Sequence, residues 1–314
     1  MLSIVGNTFF FRWEVTLMVW LQSVCGDVGA KIAGIFSFLG EEYALIFIVL
    51  LFYLCLDKDL GRRITVNVLT AVVANPLIKN IALRRRPYMD NPSVKCLRPV
   101  EPDADINDIA AQGYSFPSGH SMNSAAIYGS VAMGLKKPVF TVLGIVLPLL
   151  IGISRVIVGV HYPTDVLVGW AVGVLVMLLM TCVQSKVKTR WKMYAIIAVI
   201  ALVGFFYCKS DDYFSGYGLM VGFFCGDLFE SRFVNFDKPR NVLMGILRMV
   251  GGVAAFLVMN KLLKMAVSVI PMDEGGLVYH IARTVRYFLS VFVTVGLYPM
   301  LFGIFNKKES SGDA

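Results

Sequence analysis

Three short stretches of this 314-residue chain carry polar side chains at spacings that suit chemistry. In NPLIKNIALRRRP (75–87), Lys79 lies inside an apolar run and Arg86 follows seven residues later. A charge within a membrane-length segment is costly and marks function by default. Seven residues are two helical turns, so Lys79 and Arg86 share a face if the helix continues that far. Arg84 and Arg85 read as side chains snorkelling to the interface. In FPSGHS (116–121), Ser118 is a good N-cap after a Pro-Ser-Gly turn. Capping also leaves the amides of Gly119, His120 and Ser121 at a helix N-terminus, a ready anion site, with His120 among them placed to protonate a leaving oxygen. Taken alone, a histidine there is more often structural. In SRVIVGVHYPTD (154–165), Asp165 stands four residues after His161. Its carboxylate can then accept from one ring nitrogen and leave the other as a nucleophile or metal ligand. Arg155 adds a planar fork suited to phosphate.

Together these residues supply cations and amides (Lys79, Arg86, Arg155, Ser118, Gly119) around two histidines, the arrangement in-line phosphoryl transfer needs. Two histidines and one carboxylate amid so many cations disfavour a divalent ion, so neither a metal nor another cofactor is expected. The acidic run Glu101, Asp103, Asp105 and Asp108 reads as a solvated loop face. The six cysteines lack CxxC spacing and indicate neither a zinc site nor a disulfide framework.

These residues must be positioned by helices in a bilayer. The chain is 57% hydrophobic and 16% charged, with mean hydropathy +0.70, which excludes an ordinary soluble domain. Apolar segments of roughly 20 residues recur, and period-two alternation, the mark of a barrel, is missing. The expected fold is all-α, a polytopic membrane helix bundle of about nine spans near 43–57, 64–83, 120–135, 138–158, 163–185, 193–208, 214–230, 241–262 and 283–305. Residues 1–42 have no signal-peptide shape and read as an amphipathic interfacial segment. Residues 43–186 form the catalytic block with its loop 84–116, 187–306 hold further spans without polar motifs, and 307–314 are a disordered polar tail. DKDLGRR, LKKP, SKVKTRWK and SRFVNFDKPR are basic and belong in the cytoplasm, which puts the loop 84–116 and the three stretches on the extracytoplasmic face of a cell membrane. The formal charge of +8 is accounted for by these loops, without a nucleic-acid partner. The chain has no N-x-S/T sequon, in keeping with a bacterial source.

Lys79 with six residues before Arg86-Pro87, then PSGH at 117–120, then Ser154-Arg155 with five residues before His161 and three before Asp165, resembles the full three-part signature of the type 2 phosphatidic acid phosphatase superfamily. The resemblance implies a metal-independent phosphatase with a six-helix core related to the vanadium haloperoxidases. His161 would attack phosphorus to give a phosphohistidine, with Asp165 orienting it. His120 would protonate the leaving oxygen and then activate water. Lys79, Arg86, Ser118, Gly119 and Arg155 would hold the phosphoryl oxygens. A membrane lipid phosphate or pyrophosphate of the phosphatidate, phosphatidylglycerol phosphate or polyprenyl type is the expected substrate. A glucose-6-phosphatase-like sugar phosphatase, a lipid phosphotransferase and a catalytically silent relative are the alternatives. The spans after about 190 lie beyond the six-helix core, with gating or homo-oligomer formation as candidate roles, and His280 reads as interfacial.

Overall fold

A computed structural model describes residues 6–302; the polar tail 307–314 lies outside them. The helices run in the order α1 (Arg12–Phe38), α2 (Glu42–Leu50, continued by a π turn Leu51–Leu56), α3 (Lys58–Ala82), the single turns α4 (Pro87–Asp90) and α5 (Ile109–Gln112), α6 (Gly119–Leu135), α7 (Pro138–Ile157), α8 (Pro163–Lys186), α9 (Arg190–Ala201), α10 (Asp211–Phe229), α11 (Val242–Ser268) and α12 (Leu277–Phe292). Among the described residues there is no strand, only an isolated bridge between Asn7 and Arg84.

Local chemistry sets the ends that matter. Pro138 and Pro163 open α7 and α8, where the missing N–H costs nothing. Ser118 caps α6, its side chain accepting from the Ser121 amide. Helix α3 stops at Ala82, and Leu83 takes φ 53°, so the helix does not continue to Arg86.

Five described helical segments are long and apolar enough to cross a membrane: α3, α7, α8, α11 and Leu277–Leu301. A sixth arises if α1 and α2, bent by 40° at their junction, form one span. The expected nine are therefore not all confirmed. Helix α6 has 17 residues and α9 has 12, both short of the usual length, and α10 carries Asp211, Asp212 and Asp227 among its glycines. Even so, α6 rises about 25 Å at 1.5 Å per residue.

The described residues divide into two compact units, the first within 1–45 and 74–181, the second within 46–73 and 182–314. In the first, α7 packs against both α1 and α6, and α1 is kinked at Gly26 while exposing Val24, Val28, Ile32 and Ile35. Helix α8 lies on α6 through glycines: a Cβ on Gly169 would stand 2.7 Å from the Ser118 carbonyl oxygen, and one on Gly173 2.3 Å from that of Met122. This close approach puts the start of α6 beside the start of α8, where the Ser118 amide donates to the Asp165 carbonyl at 3.0 Å.

The second unit is tied by a glycine stripe of the same kind, Gly218, Gly222 and Gly226 of α10 meeting the backbone or Cβ atoms of the segment from Thr284 to Gly296. It also contradicts the expectation of further helices without polar motifs. Fully buried Asp227 accepts from Tyr53, Tyr194, Arg62 and Arg190, and buried Glu230 pairs with Lys58 at 3.0 Å. His280, expected at an interface, is buried and stacked on Phe214 with ring centroids 3.9 Å apart.

Candidate active site

Every residue singled out as a candidate falls in the first unit. Lys79, Arg86, Ser118, Arg155, His161 and Asp165 are all buried. The turn between α7 and α8 carries His161. Gly159 in that turn has φ +83°, and a Cβ there would lie 2.1 Å from the Lys95 carbonyl oxygen, so only glycine fits. Gln22 of α1 donates to the carbonyls of Lys95 and Ile157, and the Leu97 amide donates to the Val158 carbonyl at 2.9 Å. The loop 84–116 and α1 together brace the histidine turn.

His161 Nδ1 stands 3.5 Å from Asp165 Oδ2, beyond a good hydrogen bond and without another partner among the described residues, with Nε2 on the far side of the ring. Apo separations of this kind commonly shorten when substrate binds. Burial lowers the readiness of His161 to take a proton, and the charges of Arg86, Arg155, Lys79 and His120 add to the effect in that order. Lys79 and Arg86 thus both act electrostatically on this ring although no continuous helix joins them.

Arg86 is anchored by donating from Nε and Nη2 to the Gln112 carbonyl and from Nη1 to the Val160 carbonyl. Arg155 donates from Nη1 to Ser37 Oγ, and its Nε has no partner among the described residues. His120 Nε2 is likewise buried without one. The His120 ring packs against Gly40, where a Cβ would lie 3.1 Å from His120 Cδ2. Ser121 Oγ donates to Ser118 Oγ at 2.9 Å, which leaves the Ser118 hydroxyl its own hydrogen to give. Asn75 donates to the Pro117 carbonyl at 3.1 Å and lies against Gly119, fixing the turn before α6. Arg155 Nε and His120 Nε2, two buried polar atoms without a partner among the described residues, are groups an anion could satisfy.

The snorkelling reading of Arg84 is wrong. Arg84 is 1% exposed and donates from Nη1 to Asp165 Oδ1 at 2.6 Å and from Nη2 to Glu14 Oε2 at 3.0 Å. Arg85, 30% exposed, pairs with Asp90 at 3.2 Å. Sequence reasoning also passed over Glu14, Gln22, Ser37, Asn75 and Gln112. Glu14 and Asn75 did carry a signal, as polar residues inside otherwise apolar helices; the other three had none apart from fold context. The acidic residues of the loop serve partly as local caps: Asp105 accepts from the Asn107 amide and Asp108 from the Ala110 amide. No disulfide links the cysteines among the described residues.

A multi-pass helical protein whose buried cations surround two histidines, one of them backed by a carboxylate, is of the membrane phosphatase class. Residues 61–189 match the PAP2 superfamily, and residues 214–310 match the PAP2 superfamily phosphatase transmembrane extension. The undecaprenyl-diphosphatase of Sulfolobus acidocaldarius is 30% identical over 161 residues, covering 50% of this chain and 72% of that one. The decaprenylphosphoryl-5-phosphoribose phosphatase of Mycobacterium tuberculosis is 33% identical over 170 residues, 52% of this chain and 85% of that one. With phosphatidylglycerophosphatase B of Bacillus subtilis the identity is 42% over 85 residues, 24% of this chain, and the chain spans 41% of that relative's length. A crystal structure of a transmembrane PAP2 type phosphatidylglycerolphosphate phosphatase from Bacillus subtilis superposes with a TM-score of 0.43 at 25% identity, covering 57% of this chain and 89% of that one. The chain belongs to the PAP2 superfamily.

Proposed function

We propose that this protein hydrolyses a phosphomonoester or pyrophosphate of a membrane lipid, on the extracytoplasmic face, through a phosphohistidine and without a metal. The observation that carries the reading is the His161 turn, with Asp165 Oδ2 3.5 Å from Nδ1 and the buried cations Arg86, Arg155 and Lys79 acting on the ring. His161 Nε2 attacks phosphorus, and the bond from phosphorus to the leaving oxygen breaks as His120 Nε2 gives that oxygen its proton. Lys79, Arg86, Arg155, the Ser118 hydroxyl and the amides at the start of α6 hold the other phosphoryl oxygens as charge builds on them. Asp165 steadies the imidazolium. Water then attacks the phosphoryl group, His120 takes its proton, and inorganic phosphate leaves. A lipid substrate is supported by the relatives, named for polyprenyl or glycerolipid phosphates, and by the apolar outer faces of the surrounding helices, such as Ile145, Leu149 and Ile153 of α7.

The test is phosphate release by the purified full chain in detergent, with phosphatidate, phosphatidylglycerol phosphate, a polyprenyl pyrophosphate and glucose 6-phosphate as substrates. Release from at least one lipid, its loss in a folded His161→Ala variant, and indifference to a chelator are the expected results. Activity that survives in the variant, or that returns only with added divalent ion, refutes the mechanism. Preference for glucose 6-phosphate refutes the substrate class.

A further inference from the structure

The Glu14, Arg84 and Asp165 side chains form a continuous buried chain, exposed by 0%, 1% and 0% respectively. Arg84 Nη1 donates to Asp165 Oδ1 at 2.6 Å and to Thr164 Oγ1 at 2.8 Å; Nη2 donates to Glu14 Oε2 at 3.0 Å; Nε donates to the Phe9 carbonyl at 2.8 Å. Four of its five N–H groups are thereby committed, and its guanidinium lies 4.0 Å from the centre of the Tyr162 ring. Glu14 in turn accepts from the Phe11 amide at 2.8 Å, the Thr164 amide at 3.1 Å and Thr164 Oγ1 at 2.6 Å. The second oxygen of Asp165 accepts from the Tyr162 amide at 2.8 Å and faces His161 Nδ1.

We infer that Arg84 and Glu14 are positioning residues for the phosphoryl-transfer step: Arg84 holds Asp165 in place behind His161, and Glu14 holds Arg84. This deepens the function proposed above and rests on it. The physical need is plain. A carboxylate with no solvent exposure is costly to keep ionised unless a cation is paired with it, and Arg84 is the cation that touches Asp165. An arginine with aspartate alone would make a neutral pair. Glu14 gives the group of three one net negative charge on the Nδ1 side of His161. That is the side where positive charge appears when Nε2 bonds to phosphorus and Nδ1 keeps its proton. Glu14 also fixes the first turn of α8 through Thr164, so the carboxylate's height relative to the imidazole depends on α1. Arg84 differs in this from Arg155, which is anchored through Nη1 and has an Nε without a partner among the described residues.

The test measures kcat and KM for phosphate release from dioleoyl phosphatidate in detergent micelles, or from whichever lipid of the panel the wild type cleaves best, with melting temperatures alongside. Arg84→Gln is expected to lower kcat about 100-fold and Glu14→Gln about 10-fold, each with KM within about 3-fold, and Arg84→Lys to recover part of the loss. In an Asp165→Asn background, where the group it positions is already gone, either substitution should cost no more than about 3-fold further. Wild-type kcat in the single variants, a rise in KM alone, or undiminished losses in the Asp165→Asn background would overturn the inference. If Arg84→Gln does not fold, the near-isosteric Glu14→Gln variant and its cycle with Asp165→Asn decide. Failure of the phosphatase reading is distinct, since the wild type itself would then release no phosphate.

Discussion

In the proposed mechanism His161 attacks phosphorus uncharged, and burial, with the nearby cations adding to it, favours that form. The same preference is a stability statement. The folded chain holds His161 below its ordinary pKa, so in acid the unfolded chain binds a proton that the folded chain refuses. Stability then rises with pH wherever the unfolded state carries the extra proton, and falls as pH drops through the ordinary histidine range. In phosphate-free buffer, the melting temperature of the wild type should fall more between about pH 7.5 and about pH 5.5 than that of His161→Asn, which has no proton to refuse. Equal falls in the two proteins would show that neither burial nor the cations lower this ring's affinity for a proton. At this scale the sequence was legible where partners are near in the chain, His161 with Asp165 and Ser118 with the start of α6, whereas the shared helix face expected for Lys79 and Arg86 does not exist because α3 ends at Ala82. Arg84 was not legible, because its partners Glu14 and Asp165 are 70 and 81 residues away. A cation at a span end has two fates, interface or buried pair, and only the fold tells them apart.

The turn from Val158 to Tyr162 is the element on which the site depends. Its conformation is set by one glycine, and alanine at Gly159 meets both a left-handed backbone and the Lys95 carbonyl. Gly159→Ala should destabilise the protein by about 2 kcal/mol or more and lower kcat by an order of magnitude or more, because relieving the clash shifts either the turn that carries His161 or the Lys95 and Gln22 contacts that brace it. A variant with unchanged melting and unchanged turnover would show that the turn tolerates the shift. Elements were legible as far as periodicity and apolar length reach: each of the nine expected segments contains helix. What was not legible is how helices approach. The sequence prints Gly169 and Gly173, or Gly218, Gly222 and Gly226, as small residues in apolar runs; which helix they touch depends on packing that no window of sequence contains. Likewise Asp227 in α10 and Arg62 in α3 are separated by 165 residues, so their ion pair was invisible and the later helices looked featureless.

Across the whole molecule, the distribution of charge along individual helices supplies the argument for orientation. Helix α3 carries Arg62 and Arg63 near its start and Lys79 near its end; α8 carries Asp165 in its first turn and ends at Lys186; Lys136 and Lys137 join the ends of α6 and α7 remote from His120 and Arg155. In each case the site residues occupy one end and the surplus lysines and arginines the other. Basic connections are retained in the cytoplasm, whereas the arginines at 84–86 are engaged by Asp165, Asp90 and backbone carbonyls rather than presented as a free basic loop. Counting them with the loops would cancel the bias; assigning them to the site restores it. A cysteine placed at Asp103, in the loop that leads to the PSGH turn, should therefore react with a membrane-impermeant maleimide on intact cells, in a chain whose own six cysteines have been replaced. One placed at Lys188, beyond the far end of α8, should react only after the membrane is opened. The reverse pattern would put the site on the cytoplasmic face, and its substrate would then have to come from the inner leaflet.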